Sequence, residues 1–286
     1  MAEAPRVLVL GPGGRVGRHV VAGLVRRGLR PRVALRRPEA LADAEVEAVR
    51  FDLKDRRTHA AAFRGADAAF VLWPPGVGMP REHLLPALAA AREAGVANFV
   101  FLSVLGAGTL RFLPHVQVER WLADAGVAHT ILRAGYFMQN LSTVHRQDIA
   151  ELAEVLVPAG RGRLALVDTR DVAEVAAAAL CEPRPEGVIY ELTGAQSLDF
   201  AAVAAIFSAE LGRPIAYRAP SFRRFARRCR ARGVATSMIA FMLIEYGITR
   251  LGRSGRATDA VARILGRPPR TLREFVADHR SAWDPA

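Results

Sequence analysis

Lysine is almost absent from this chain, and cysteine, aromatic residues and long apolar runs are scarce. Lys54 is the single lysine among 40 basic side chains, so 39 are arginine. The arginine- and alanine-rich, lysine-poor bias reads as high-GC coding. Only two cysteines occur, Cys181 and Cys229. Their spacing matches no metal motif and one pair is no disulfide framework, which points to a reducing, cytoplasmic setting without a metal centre. No apolar run reaches the roughly 18 uncharged residues that a membrane span needs. The longest, Val234 to Ile248, is broken by Glu245 and Gly247 and predicts a buried helix instead. Ala2-Glu3-Ala4-Pro5 leads into a strand pattern without the apolar core of a signal peptide. The expectation is a soluble protein that neither spans nor binds a membrane.

What the chain does contain is enough apolar material for a large core: 51% of 286 residues are hydrophobic. That length suits one large α/β domain, or such a domain with a smaller lobe. Short apolar runs alternate with helical patterns over the first 135 residues, the mark of a doubly wound parallel sheet with helices on both faces. The runs are Val7–Leu10, Arg32–Leu35, Ala48–Phe51, Ala68–Leu72, Phe99–Leu102 and His129–Leu132. Helices are predicted over Arg81–Ala94 and Val116–Ala125. Further on, Arg163–Val167 and Val188–Leu192 read as strands, and Val172–Leu180 and Phe200–Leu211 as helices. From Ser221 the pattern is mostly helical. The expected organisation is a Rossmann domain over 1–155 with returns at about 163–193, and a smaller, mostly helical substrate-side lobe over 194–286. Whether the chain works alone or as a homodimer is left open by these patterns.

The first strand runs into Gly11-Pro12-Gly13-Gly14-Arg15-Val16-Gly17, which opens an amphipathic helix carrying Val20, Val21, Leu24 and Val25. Such a turn lets bare backbone amides at a helix N-terminus approach a pyrophosphate. Strand, glycine turn and helix together point to a dinucleotide, where a lone glycine pattern would not. At the end of the second strand, where an NAD site places an acid for the ribose 2′-hydroxyl, stand Arg36 and Arg37. Two guanidiniums suit a 2′-phosphate. NADP(H) is the expected cofactor, with NAD(H) as the alternative if the pair only reflects the arginine-rich composition.

Further motifs follow the later strands: Phe51-Asp52-Leu53, Val71-Leu72-Trp73-Pro74-Pro75, Phe101-Leu102-Ser103, His115-x-x-x-Glu119, Thr130-Ile131-Leu132-Arg133, Phe137-Met138-Gln139-Asn140-Leu141 and Asp168-x-x-Asp171-Val172-Ala173. With the glycine turn, they make the chain resemble the NmrA-like branch of the atypical short-chain dehydrogenase/reductase family from Val7 to about Pro220. The resemblance implies that Asp52 and Leu53 border the adenine and that Leu72, Trp73 and Pro74 lie along the cofactor. It places Ser103 near the nicotinamide, and Tyr136, Phe137 and Met138 in the nicotinamide or substrate pocket. Glu119, Asn140, Asp168 and Asp171 are expected in caps and structural bonds. Standard members use a catalytic Tyr-x-x-x-Lys pair, which this sequence lacks because Lys54 lies far too early. His115 stands where several relatives carry lysine. It is the candidate to hold the ribose or shuttle a proton near neutral pH, against a plain helix-start histidine bonded to the backbone.

Two functions fit this pattern. The first is hydride transfer from NAD(P)H to a quinone, enone or other conjugated aromatic substrate, including tailoring of a natural product or an oxygenation. Such acceptors delocalise the incoming charge and need less help from a strong acid. The second is a non-catalytic redox sensor that binds NADP(H) and a protein partner. Net charge is +12, which favours anionic partners of some kind. Ser221 to Arg232 packs six arginines around Phe222, Phe225 and Cys229. That pattern reads as a helix docked by its apolar side, and nucleic-acid binding is not expected.

Overall fold

A computed structural model describes residues 4–40, 44–74 and 77–284. Pro75, the last residue of the Val71–Pro75 motif, lies outside them. In chain order the first elements are β1 (Val7–Leu10), α1 (Gly17–Val25), β2 (Arg32–Leu35), β3 (Glu47–Arg50), α2 (His59–Phe63) and β4 (Ala68–Leu72). Next come α3 (Pro80–Glu93), β5 (Asn98–Val104), α4 (His115–Asp124), β6 (Ala128–Ala134), β7 (Tyr136–Phe137), α5 (Arg146–Leu152) and β8 (Glu154–Leu156). They are followed by β9 (Arg163–Val167), α6 (Thr169–Cys181), β10 (Val188–Leu192), β11 (Ser197–Asp199), α7 (Phe200–Leu211) and β12 (Ala216–Arg218). The chain closes with α8 (Phe222–Ala231), α9 (Thr236–Arg250), α10 (Ala260–Leu265) and α11 (Leu272–Asp278).

Two compact units result. The first comprises Met1–Ala134 and Thr169–Glu191. Its sheet has the order β10-β6-β5-β4-β1-β2-β3, and every pairing from β3 across to β6 is parallel. This is the doubly wound Rossmann order with one strand added beside β6. All four residues of β1 are buried, as expected of a strand covered on both faces. Helix α1 packs closely on α6: a Cβ on Gly23 would lie 3.2 Å from that of Ala177. Strand β3 begins one residue before the predicted Ala48, because an edge strand with both ends exposed carries a weak apolar signal. Phe51 lies just beyond it and stacks on His59 at 5.1 Å.

The second unit comprises Gly135–Asp168 and Leu192–Ala286, so residues 135–155 cluster here and not with the preceding strands. Strand β9 is the middle of a three-stranded sheet, antiparallel to β11 and parallel to β7. Strands β8 and β12 form a parallel pair. The helices close over a core that includes Phe200, Phe207, Phe225, Tyr246, Phe275 and Trp283. Helix α7 has the predicted limits because its punctuation is local. Asp199 Oδ1 accepts the Ala202 N–H at 2.8 Å, and Gly212 leaves the helix at φ +69°. Helix α8 buries Phe225, Ala226 and Cys229. Two of its neighbouring arginines are not free surface charge: Arg228 and Arg232 converge on buried Asp148, with Arg228 Nε at 3.0 Å and Arg232 Nη2 at 2.6 Å. Among the described residues no helix is long and apolar enough to cross a membrane.

Candidate cofactor and active site

The chain leaves β1 at Leu10 and turns through Gly11, whose φ of +62° suits glycine. Gly14 N–H donates to Gly11 O at 3.0 Å. A Cβ on Gly17 would lie 2.1 Å from that same oxygen, and one on Gly14 would lie 3.1 Å away. Gly17 is therefore required by the turn itself, Gly11 is favoured by its left-handed backbone, and Gly14 is tight. Gly13 is different, because a Cβ there would meet nothing within 4 Å. Gly13, Gly14 and Arg15 are exposed, whereas Val16 is buried and leads into α1, which has no acidic residue in its first turn. Leu72, at the end of β4, packs over the turn with its Cδ2 3.1 Å from a Cβ placed on Gly11.

Arg36 and Arg37 follow β2, both exposed, and neither has an ion-pair partner among the described residues. Asp52 spends one carboxylate oxygen on a turn, accepting the Lys54 N–H at 2.9 Å. Leu53 lies half-buried at the edge of the first unit's core. Trp73 and Pro74 are half-buried. Trp73 Nε1 donates to Gly78 O at 3.1 Å, and its ring meets His115 edge-on at 5.2 Å.

His115 is the first residue of α4 and only 7% exposed. Its Nδ1 is buried with no hydrogen-bond partner among the described residues. Burial pushes the imidazole pKa down to about 4, against a smaller upward pull from Glu119. Burial thus favours the neutral ring at physiological pH. Ser103, near the end of β5, is tied to α4. Its buried hydroxyl donates to Glu119 Oε1 at 2.5 Å, and Arg133 holds the same carboxylate at 3.1 and 2.6 Å. With its proton committed to a carboxylate, Ser103 is not a free proton donor.

In the second unit the three predicted pocket residues part company. Tyr136 and Met138 point into the core, whereas Phe137, on the opposite face of β7, is half-buried. Tyr136 Oη lies 3.0 Å from Tyr246 Oη and 3.1 Å from His145 Nε2, and His145 Nε2 lies 2.6 Å from Tyr246 Oη. Burial holds the His145 pKa at about 4 and raises that of Tyr246. Of the three, only Phe137 retains surface to offer a ligand. The sequence carried no sign of this Tyr–His–Tyr cluster, whose members are 9 and 101 positions apart. Glu245 was visible only as a break in an apolar run; burial raises its carboxyl to about 7.

The first unit's residues fit a dinucleotide. Three glycines shape the turn and the fourth leaves open space above it; among the described residues, two guanidiniums without an ion-pair partner stand beyond β2 and an imidazole nitrogen without a hydrogen-bond partner lies at the start of α4.

A sequence profile of the NmrA-like family matches residues 3–262. The chain is 34% identical to the NAD(P)H azoreductase of Xenophilus azovorans, over 98% of this chain and 100% of that protein. It is 32% identical to the (4-alkanoyl-5-oxo-2,5-dihydrofuran-3-yl)methyl phosphate reductase of Streptomyces griseus, over 98% and 99%. Among solved structures, the NADPH-dependent quinone oxidoreductase of Escherichia coli complexed with NADPH shares the fold, with a TM-score of 0.86 at 24% identity. That match covers 95% of this chain and 99% of the other. With the profile spanning most of the chain, this protein belongs to the NmrA-like family.

Proposed function

We propose that the chain is an NAD(P)H-dependent reductase that delivers hydride to a quinone, azo compound, enone or other conjugated acceptor. The observation that carries the reading is the glycine turn between β1 and α1, where exposed Gly13 has no protein atom within 4 Å of a Cβ placed on it and so offers bare backbone to a ligand. The names of the azoreductase and quinone oxidoreductase relatives support the acceptor class.

In this reading the Gly11–Gly17 backbone, with Arg15 and Val16, holds the pyrophosphate, and Arg36 and Arg37 hold a 2′-phosphate, so NADP(H) is favoured over NAD(H). Asp52 and Leu53 border the adenine; Leu72, Trp73 and Pro74 line the cofactor. Bound there, the nicotinamide supplies the hydride. His115 offers its neutral ring nitrogen to the ribose, and Ser103 acts indirectly by fixing Glu119 and Arg133 beneath the site. No residue is set up as a strong acid, which suits acceptors that spread the incoming charge over a conjugated system and take their proton from water. Tailoring of an aromatic natural product is a narrower form of the same reaction, and the cytoplasm supplies the reduced cofactor it needs. The test is anaerobic oxidation of NADPH with menadione and an azo dye as acceptors. Turnover with either supports the reading; tight NADPH binding with no turnover on any acceptor replaces it with the sensor.

A further inference from the structure

A cavity of about 590 Å³ opens on the second unit, lined by residues from the start of β9, from β11 and from the end of α9. Its walls carry three guanidiniums, from Arg161, Arg163 and Arg250, the hydroxyl-bearing Ser197, and glycine backbone at Gly162 and Gly255. No carboxylate lines it. We infer that this cavity is an anion site for a small phosphate-bearing molecule, separate from the dinucleotide turn of the first unit.

The fold builds the cluster deliberately close. A Cβ on Gly162 would lie 2.0 Å from Thr249 O, so only glycine lets the start of β9 press against the last turn of α9. That contact brings Arg161 and Arg163 beside Arg250. The segment after α9 is pinned in turn by the Ala165 N–H, which donates to Ser254 O at 3.1 Å. Gly255 is tight as well, since a Cβ there would lie 3.1 Å from Ser197 Oγ and 3.2 Å from Arg163 Cβ.

Two of the guanidiniums are held before any ligand arrives. Arg163 donates from Nε to Ser197 Oγ at 3.3 Å and from Nη2 to Ser197 O. The Arg250 guanidinium lies 5.9 Å over the Phe222 ring. Arg161 is exposed, and neither it nor Arg250 has an ion-pair partner among the described residues. Three like charges around one opening repel each other, and a bound anion relieves that repulsion. Guanidinium forks match the paired oxygens of phosphate, and partial pre-ordering lowers the cost of binding. The volume suits a small organic molecule more than a bare ion, and Leu251 is the one large apolar side chain in the lining. A phosphate monoester or diphosphate of a small metabolite meets both conditions.

The site is tested by calorimetric titration of pyrophosphate into protein saturated with NADPH. Saturable binding is expected, weakened about tenfold or more in Arg161→Ala/Arg250→Ala, while NADPH binding by that variant stays as in wild type. Because NADPH binding is titrated separately on the same proteins, failure of the cofactor reading and failure of this one are distinguishable. Absence of saturable binding, equal binding by the Arg161/Arg250 variant, or tighter binding of citrate than of pyrophosphate overturns the assignment.

Discussion

The proposed function rests on His115 and Arg36 at the residue scale. Buried, with no partner for its Nδ1 among the described residues and its pKa near 4, His115 is proposed to act as a neutral hydrogen-bonding group. His115→Ala should therefore bind NADPH nearly as well as wild type and lose turnover only several-fold, well short of the roughly 10²–10⁴-fold that a lost acid–base group costs. The wild-type pH profile of kcat/KM should show no inflection near 6.5 from this ring. Stopped kinetics across pH 5 to 8 decide it, and a His115-dependent inflection in that range would restore the proton shuttle. For Arg36, charge-assisted bonds worth roughly 1.5–3 kcal/mol predict NADPH binding about tenfold or more tighter than NADH. Arg36→Ala should erase most of that gap by calorimetry; a wild type that prefers NADH contradicts the assignment.

At the scale of elements, the glycine turn makes the sharpest contrast. Gly17→Ala forces a Cβ to within 2.1 Å of Gly11 O and should damage the β1–α1 junction itself, lowering Tm. Gly13→Ala meets no protein atom within 4 Å, so it should keep the wild-type Tm while weakening NADPH binding. Equal binding by Gly13→Ala would remove the main support for the cofactor site. This turn was legible in the sequence because glycine and a fully buried apolar strand are local signals, and the limits of α7 were legible for the same reason through Asp199 and Gly212. Strands β7 and β11 were not, since two or three residues show no period. The inward turn of Tyr136 depends on which face of β7 meets the core. The use of Arg228 and Arg232 was equally hidden, because their partner Asp148 lies 80 and 84 positions away. On α8 the arginines left outside that clamp still predict DNA affinity that is non-specific and falls steeply with salt. A gel shift showing one preferred sequence at physiological salt would contradict this.

Over the whole molecule, buried histidines set a pH dependence of stability. His115 and His145 have folded pKa values of about 4 against 6.5 when exposed. The unfolded chain thus binds more protons between those limits, and stability must fall as pH drops from about 6.5 to 4, by at most about 3 kcal/mol per histidine. Glu245 acts in the opposite sense: its raised pKa of about 7 costs stability as pH climbs from 4.5 to 7. Urea denaturation should show His145→Gln with a shallower loss of stability on acidification and Glu245→Gln with a steeper one; unchanged slopes in both would mean these groups are not buried as described. Reductase activity of the intact protein is tested most directly by a single turnover. Protein loaded with one equivalent of NADPH is mixed anaerobically with menadione while the nicotinamide absorbance is followed. The account predicts oxidation of the bound cofactor in a single phase, slowed when the transferred position carries deuterium. Bound NADPH that stays reduced, or is oxidised no faster than free NADPH, would contradict it.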